Sequence, residues 1–353
     1  MLIKDYLDQN APSSDQFYDL IQSYKLEYGL ILLRDYKNLL NLYKTMKMSY
    51  ENYKHLTNYM IQYIWEKLHT GHWQHVHIYD IKLNLIQLKH YNCPSIELFN
   101  KLIQLNKPFI INNSINYWPS IKNNHSNYWT LNYWKLNYGY RLVPIEIGQK
   151  YTDNNWGQKL MTINNFIDYY FNQSIIDNNN NQLNKNIKKG YLAQYDIFSQ
   201  IPELENDIYI PDYCYITGGS DESINDNNNN TIETNLWFGP KNTISPLHHD
   251  NDRANLLTQI NGSKLIILYP SIETKNLYPY NDLLSNTSQI DLDHIDLIKF
   301  PKLKNAYGYY GIIKKGEMLY IPPRCWHYVR SLTCSFSVNF WWNLSPSLIP
   351  SWT

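Results

Sequence analysis

Trp237-Phe-Gly-Pro240, followed by Ser245-Pro-Leu-His-His-Asp250, is the stretch on which the fold of this chain turns. The run Thr231-Ile-Glu-Thr-Asn-Leu-Trp-Phe reads as a strand that stops at Gly239-Pro240, and a second extended segment then delivers two histidines and an aspartate. Positions i and i+2 of an extended segment project to one side, so His248 and Asp250 share a face while His249 points elsewhere. Downstream, Gly316-Glu-Met-Leu-Tyr-Ile-Pro-Pro-Arg-Cys-Trp-His327 reads as a turn, a short strand, a proline break and a histidine at the entry to the next strand. Two imidazoles and one carboxylate form the facial set that suits non-haem Fe(II), with positions left open for O2 and a cosubstrate.

Around this stretch the texture is that of many short strands. Pro108-Phe-Ile-Ile, Val143-Pro-Ile-Glu-Ile, Lys264-Leu-Ile-Ile-Leu-Tyr and Ser335-Phe-Ser-Val-Asn-Phe-Trp are β-branched or aromatic runs between Gly and Pro punctuation. That pattern predicts a sandwich or barrel, a mainly β domain over 94–353, with helical inserts at Trp129–Leu136, Met161–Phe171 and Leu283–Ile298. The segment before it differs. Phe17, Leu20, Ile21, Tyr24, Tyr28, Ile31 and Leu32 recur at helical intervals, which predicts a helical N-terminal region over 1–93. The Asn-rich tracts at 177–186 and 225–230 are polar and aperiodic, and read as solvated loop insertions.

Composition narrows the function classes. Lys+Arg and Asp+Glu both count 31 in 353 residues, so no global positive field is available to hold nucleic acid. The four cysteines, Cys93, Cys214, Cys325 and Cys334, are widely spaced without a C-x-x-C pair, which argues against a disulfide framework or structural zinc. No run approaches the roughly 18 apolar residues of a membrane span. The expectation is a nuclear or cytoplasmic protein with no membrane partner. His69, His72, His75 and His77 could align on a helix as a second metal site, but Gly71 and the lack of nearby acids favour solvated surface histidines.

Lys264 lies on an otherwise apolar strand between the two histidine motifs. If it points inward it needs an anionic partner; at a strand edge it snorkels into water.

Several ordered blocks between about 107 and 342, among them Val143-Pro-Ile-Glu-Ile-Gly148, Gly190-Tyr-Leu-Ala-Gln194, Trp237-Phe-Gly-Pro240 and Trp326-His-Tyr-Val-Arg-Ser-Leu332, resemble the JmjC family of Fe(II)/2-oxoglutarate oxygenases. The resemblance implies a double-stranded β-helix, a cupin-like jelly roll with its metal in the mouth. It implies that His248, Asp250 and His327 hold Fe(II) and that Lys264 pairs with the distal carboxylate of 2-oxoglutarate. Tyr191, Ser245 and Asn255 would be further cosubstrate contacts, with Trp237 and Trp341 as walls. Glu146 and Trp156 match positions that engage a substrate arginine, since a carboxylate can grip a guanidinium while an indole stacks on it. The expected activity is O2-dependent hydroxylation of a protein or peptide side chain, arginine first, with release of succinate and CO2. The alternatives are an N-methyl-lysine (histone) demethylase on the same scaffold and a non-enzymatic cupin-like binding module.

Overall fold

A computed structural model of the chain describes residues 83–352, apart from 149, 154–155, 172–188, 219–230 and 282–283. The expected N-terminal helices, the four clustered histidines and both Asn-rich tracts lie outside the described residues, except that 83–92 are seen. The compact unit Asn84–Thr353 holds everything described below.

It opens with β1 (Asn84–Gln87) and β2 (Lys89–Asn92), helix α1 (Ile96–Ile103) and β3 (Phe109–Asn112). Next come α2 (Leu131–Tyr138), β4 (Leu142–Ile147), β5 (Gly157–Thr162), α3 (Ile163–Tyr170), β6 (Gly190–Tyr195) and a short α4 (Ile197–Gln200). Short 3-10 turns aside, the described remainder is strands: β7 (Glu233–Gly239), β8 (Ile244–His248), β9 (Arg253–Asn261), β10 (Ser263–Tyr269), β11 (Tyr307–Lys314), β12 (Met318–Ile321), β13 (Trp326–Ser331) and β14 (Ser335–Asn343).

Two sheets form, one ordered β1-β11-β10-β13-β8 and the other β2-β3-β12-β9-β14-β7-β6-β4-β5. Together they make the jelly roll of a cupin-like double-stranded β-helix. β1 pairs parallel with β11 and β2 parallel with β3, so residues 84–92, read from the sequence as part of the helical N-terminal region, belong to the sheets. These two strands are mostly exposed and polar, and only their pairing partners reveal them.

Alternation along the strands sorts side chains between two cores. On β14, Phe336, Val338, Phe340 and Trp342 join the large cluster with Phe99 of α1, Trp134 of α2 and Phe166 of α3, while Ser337, Asn339 and Trp341 face the other way. On β12, Met318 and Tyr320 take the large cluster, and Leu319 and Ile321 the smaller one between the sheets, with Leu257, Ile266 and Leu268. Lys264 shares its face of β10 with Ile266 and Leu268. The hairpin from β9 to β10 turns on Gly262, whose φ of +80° is open to glycine; a Cβ there would sit 2.1 Å from the Cys334 carbonyl oxygen.

The helical inserts near Trp129 and Met161 form as α2 and α3, capped by Thr130 and Thr162, whose hydroxyls accept from Tyr133 N–H and Asn165 N–H. The helix expected up to Ile298 does not form. Thr287 and Ser288 form isolated β-bridges and the rest of 284–298 is turn and loop; Asp291 Oδ1 accepts from Asp293 N–H and Asp296 Oδ1 from both Ile298 and Lys299 N–H, and such local bonds compete with the helix. Among the described residues no helix is long and apolar enough to cross a membrane.

Candidate active site

β8 ends at His248, Asp250 sits in the turn that follows, and β13 brings His327 directly opposite His248 in register. His248 Nε2 lies 3.8 Å from Asp250 Oδ1, and His327 Nε2 lies 3.6 Å from Asp250 Oδ2. Both separations are under twice a metal–ligand bond of roughly 2.1 Å, so one ion can reach all three. Among the described residues these three are the group able to hold a metal.

The imidazoles are held by their own strands. His248 Nδ1 is 2.7 Å from the Pro246 carbonyl and His327 Nδ1 is 3.0 Å from the Cys325 carbonyl. A carbonyl only accepts, so each Nδ1 carries the proton and each Nε2 presents a lone pair to the centre. Burial, reinforced by His327, pushes His248 down to about 4, which keeps it neutral and ready to ligate. Burial alone would raise Asp250, but His327 and His248, with bonds from Asn255 and Trp341, hold it below the usual carboxylate value. Asp250 is an anion set between the two rings.

Inside this set, a small cavity of about 30 Å³ is lined by Lys264, Tyr191, Ser245, Asn255, His327 and Asn339 among others. Lys264 is 1% exposed, and burial lowers its ammonium to about 7. It donates to the Tyr191 hydroxyl at 3.4 Å, and among the described residues no carboxylate pairs with it. An ammonium buried in this way is the complement of a carboxylate from outside. Tyr191 in turn bonds Ser245, and its hydroxyl is raised by burial. Ser245 and His248 both face the cavity although three residues apart, because a bulge shifts the β8–β13 register between His327 and Val329.

Outside it, a cavity of about 390 Å³ opens past the shared walls Tyr191, Trp237 and Trp341 and includes Glu146, Tyr151 and Arg253. Glu146 of β4 faces Tyr191 across the sheet, burial raises its carboxyl, and Trp156 Nε1–H donates to it at 3.3 Å. Trp156, 37% exposed, therefore orients the carboxylate from the rim.

The arrangement refines two residues and adds two. Asn255 Nδ2 donates to Asp250 Oδ2 at 2.8 Å, so it holds the metal carboxylate as well as lining the inner cavity. Trp341 Nε1 donates to the same oxygen at 3.1 Å, so it is more than a wall. Asn339 accepts from Trp237 Nε1 at 2.8 Å and donates to Asn255 Oδ1 at 3.3 Å, a relay absent from the sequence reading although its place between Ser337 and Trp341 on an alternating strand points it inward. Tyr151, also not anticipated, bonds Thr287 at 3.0 Å and stands edge-on to His248.

A jelly roll that carries a half-buried His-x-Asp and a buried partner histidine in its mouth defines a cupin-type scaffold able to hold a metal. Residues 95–347 match the family model described as the cupin-like domain, and the chain belongs to this cupin-like, JmjC-type family. It is 42% identical over 254 residues to "Lysine-specific demethylase 8" of Danio rerio, covering 71% of this chain and 57% of that protein. It is 44% identical over 240 residues to "Lysine-specific demethylase JMJ30" of Arabidopsis thaliana, covering 67% and 50%. It is 38% identical over 253 residues to "Jumonji C domain-containing protein 5" of Drosophila melanogaster, covering 71% and 58%. The chain thus spans about half the length of the curated relatives it matches.

Proposed function

We propose that the chain is an Fe(II)- and 2-oxoglutarate-dependent dioxygenase that oxidises a basic side chain of a protein. The carrying observation is Lys264, an ammonium buried without a carboxylate partner on the same cavity as His248, Asp250 and His327. The three ligating atoms fit one iron, and the inner cavity offers the distal carboxylate of 2-oxoglutarate Lys264, Tyr191 and Ser245. Bound iron and cosubstrate supply the oxidising chemistry: one O2 and one 2-oxoglutarate give succinate, CO2 and one oxygen inserted into a substrate C–H bond. The chain's own residues orient both groups, and Trp237 and Trp341 narrow the passage between the two cavities.

For the substrate, the names of two relatives support N-methyl-lysine, where a hydroxylated methyl group leaves as formaldehyde. That reading has the comparisons behind it, and the arginine reading does not. A separate observation favours unmodified arginine: Glu146, oriented by Trp156, lines the outer cavity, and a fixed carboxylate suits the forked donors of a guanidinium. Succinate formation with Fe(II) and 2-oxoglutarate tests the dioxygenase; its absence points to a binding module. Mass spectrometry of reacted peptides then separates the substrates. A stable gain of one oxygen on arginine supports hydroxylation, and loss of a methyl group from lysine with formaldehyde supports demethylation.

A further inference from the structure

Asp250 is the one ligand of the three that stands outside a strand, in the turn between β8 and β9. From the cavity side Asn255 and Trp341 hold its carboxylate. The turn is also gripped from the opposite side. Arg324, at φ +57°, donates its main-chain N–H to the Asn251 carbonyl at 2.6 Å and its Nε–H to Asp252 Oδ1 at 2.5 Å. Its Nη1 donates to the Pro350 carbonyl at 2.8 Å, and its guanidinium lies 5.0 Å from the ring centre of Trp352. The His249 ring is sandwiched between Trp326, at 4.7 Å, and Trp352, at 4.6 Å. Ser271 Oγ donates to the Ser351 carbonyl at 2.8 Å and fixes the same segment to the barrel. Neither Arg324 nor Trp352 lines either cavity of the site, and residues 350–352 lie past the end of the family match at 347.

We propose that residues 350–352, locked by Arg324, form a strap that positions Asp250 for the metal, with Trp352 and Arg324 as positioning residues. This rests on the dioxygenase reading. The physical argument is one of population. A ligand carried on a turn binds with its intrinsic affinity only while the turn holds the competent conformation, and apparent affinity falls in proportion to the fraction that does. His249, buried and with its ring packed against Trp326 and Trp352, acts as the peg that the strap grips. Its Nδ1 accepts from Asn251 N–H, which ties ring, turn and strap together.

The test titrates the full chain, stripped of metal, with Co(II) and follows its d–d absorption. Trp352→Ala should weaken Co(II) binding about three- to tenfold, at or below the usual effect of losing an outer partner of a metal ligand. Trp352→Phe, which restores a ring against His249, should recover most of it. Far-ultraviolet circular dichroism of the metal-free proteins should stay unchanged, a result that a merely structural loss would not give. Asp252→Asn removes the Arg324 link at a side chain that is 53% exposed, and it reads the same coupling if Trp352→Ala fails to fold. Folded Trp352→Ala or Asp252→Asn proteins that bind Co(II) as the wild type does overturn the strap alone. A wild-type chain that binds no Co(II) overturns both the strap and the dioxygenase reading.

Discussion

Replacing Lys264 with Met should make the metal-free protein more stable and, on the proposed dioxygenase reading, nearly useless as a catalyst. In the wild type, burial lowers the ammonium from 10.5 to about 7. The sign follows from proton counts. Between pH 7 and 10.5 the unfolded chain binds a proton that the folded chain has released, so wild-type stability rises with pH across that window; below 7 both states are protonated and the full cost stands. A depression of this size corresponds to roughly 5 kcal/mol near pH 6.5, falling to roughly 2 kcal/mol by pH 9. Met keeps most of the stem's volume beside Ile266 and Leu268 and removes the charge, so the variant should be stabilised by an amount of that order, with the gain shrinking as pH rises. Urea unfolding of both metal-free proteins from pH 6.5 to 9 measures it, with equal m-values as the control. With metal and substrate supplied, the same change should raise the KM for 2-oxoglutarate roughly thirtyfold or more, the usual result of removing one partner of a buried charge pair. Parallel stability profiles, or a variant less stable than the wild type at pH 6.5, would refute the reasoning: Lys264 would then not be an unpaired buried charge.

Two further outcomes follow from the site. Glu146→Gln should lower kcat/KM for a basic peptide at least tenfold while leaving the slow substrate-free turnover of 2-oxoglutarate within twofold; an equal loss in both would place Glu146 in the cosubstrate machinery instead. Asn339→Leu strands the Trp237 indole N–H and the Asn255 carbonyl oxygen in a buried setting. It should destabilise the protein by about 2 kcal/mol or more, and the resulting fall in melting temperature is the measurement.

What could be read before the structure, and what could not, divides along one physical line. The alternation of Phe336, Val338, Phe340 and Trp342 against Ser337, Asn339 and Trp341 is written into the chain, because a strand's two faces are two residues apart whatever surrounds it. The same rule aims Lys264 with Ile266 and Leu268, once burial on that face decides against the snorkelling alternative. Features that depend on a partner strand were not legible. The bulge that turns Ser245 and His248 to the same cavity exists only in the pairing of β8 with β13, and β1 and β2 have too little apolar character to declare themselves without β11 and β3. Asn339 shows the boundary between the two cases. Its direction was readable from its neighbours, but its task was not, since that task is set by Trp237 and Asn255 on two other strands. His248, Asp250 and His327, the group able to hold a metal, were legible because the His-x-Asp spacing is local and the chemistry of two imidazoles and a carboxylate is stereotyped. The groups around Asp250 are spread over about a hundred residues: Asn255 and Trp341 hold its carboxylate, Arg324 and Trp352 hold its neighbours Asn251, Asp252 and His249, and only the closed barrel and the chain beyond it bring them to one turn.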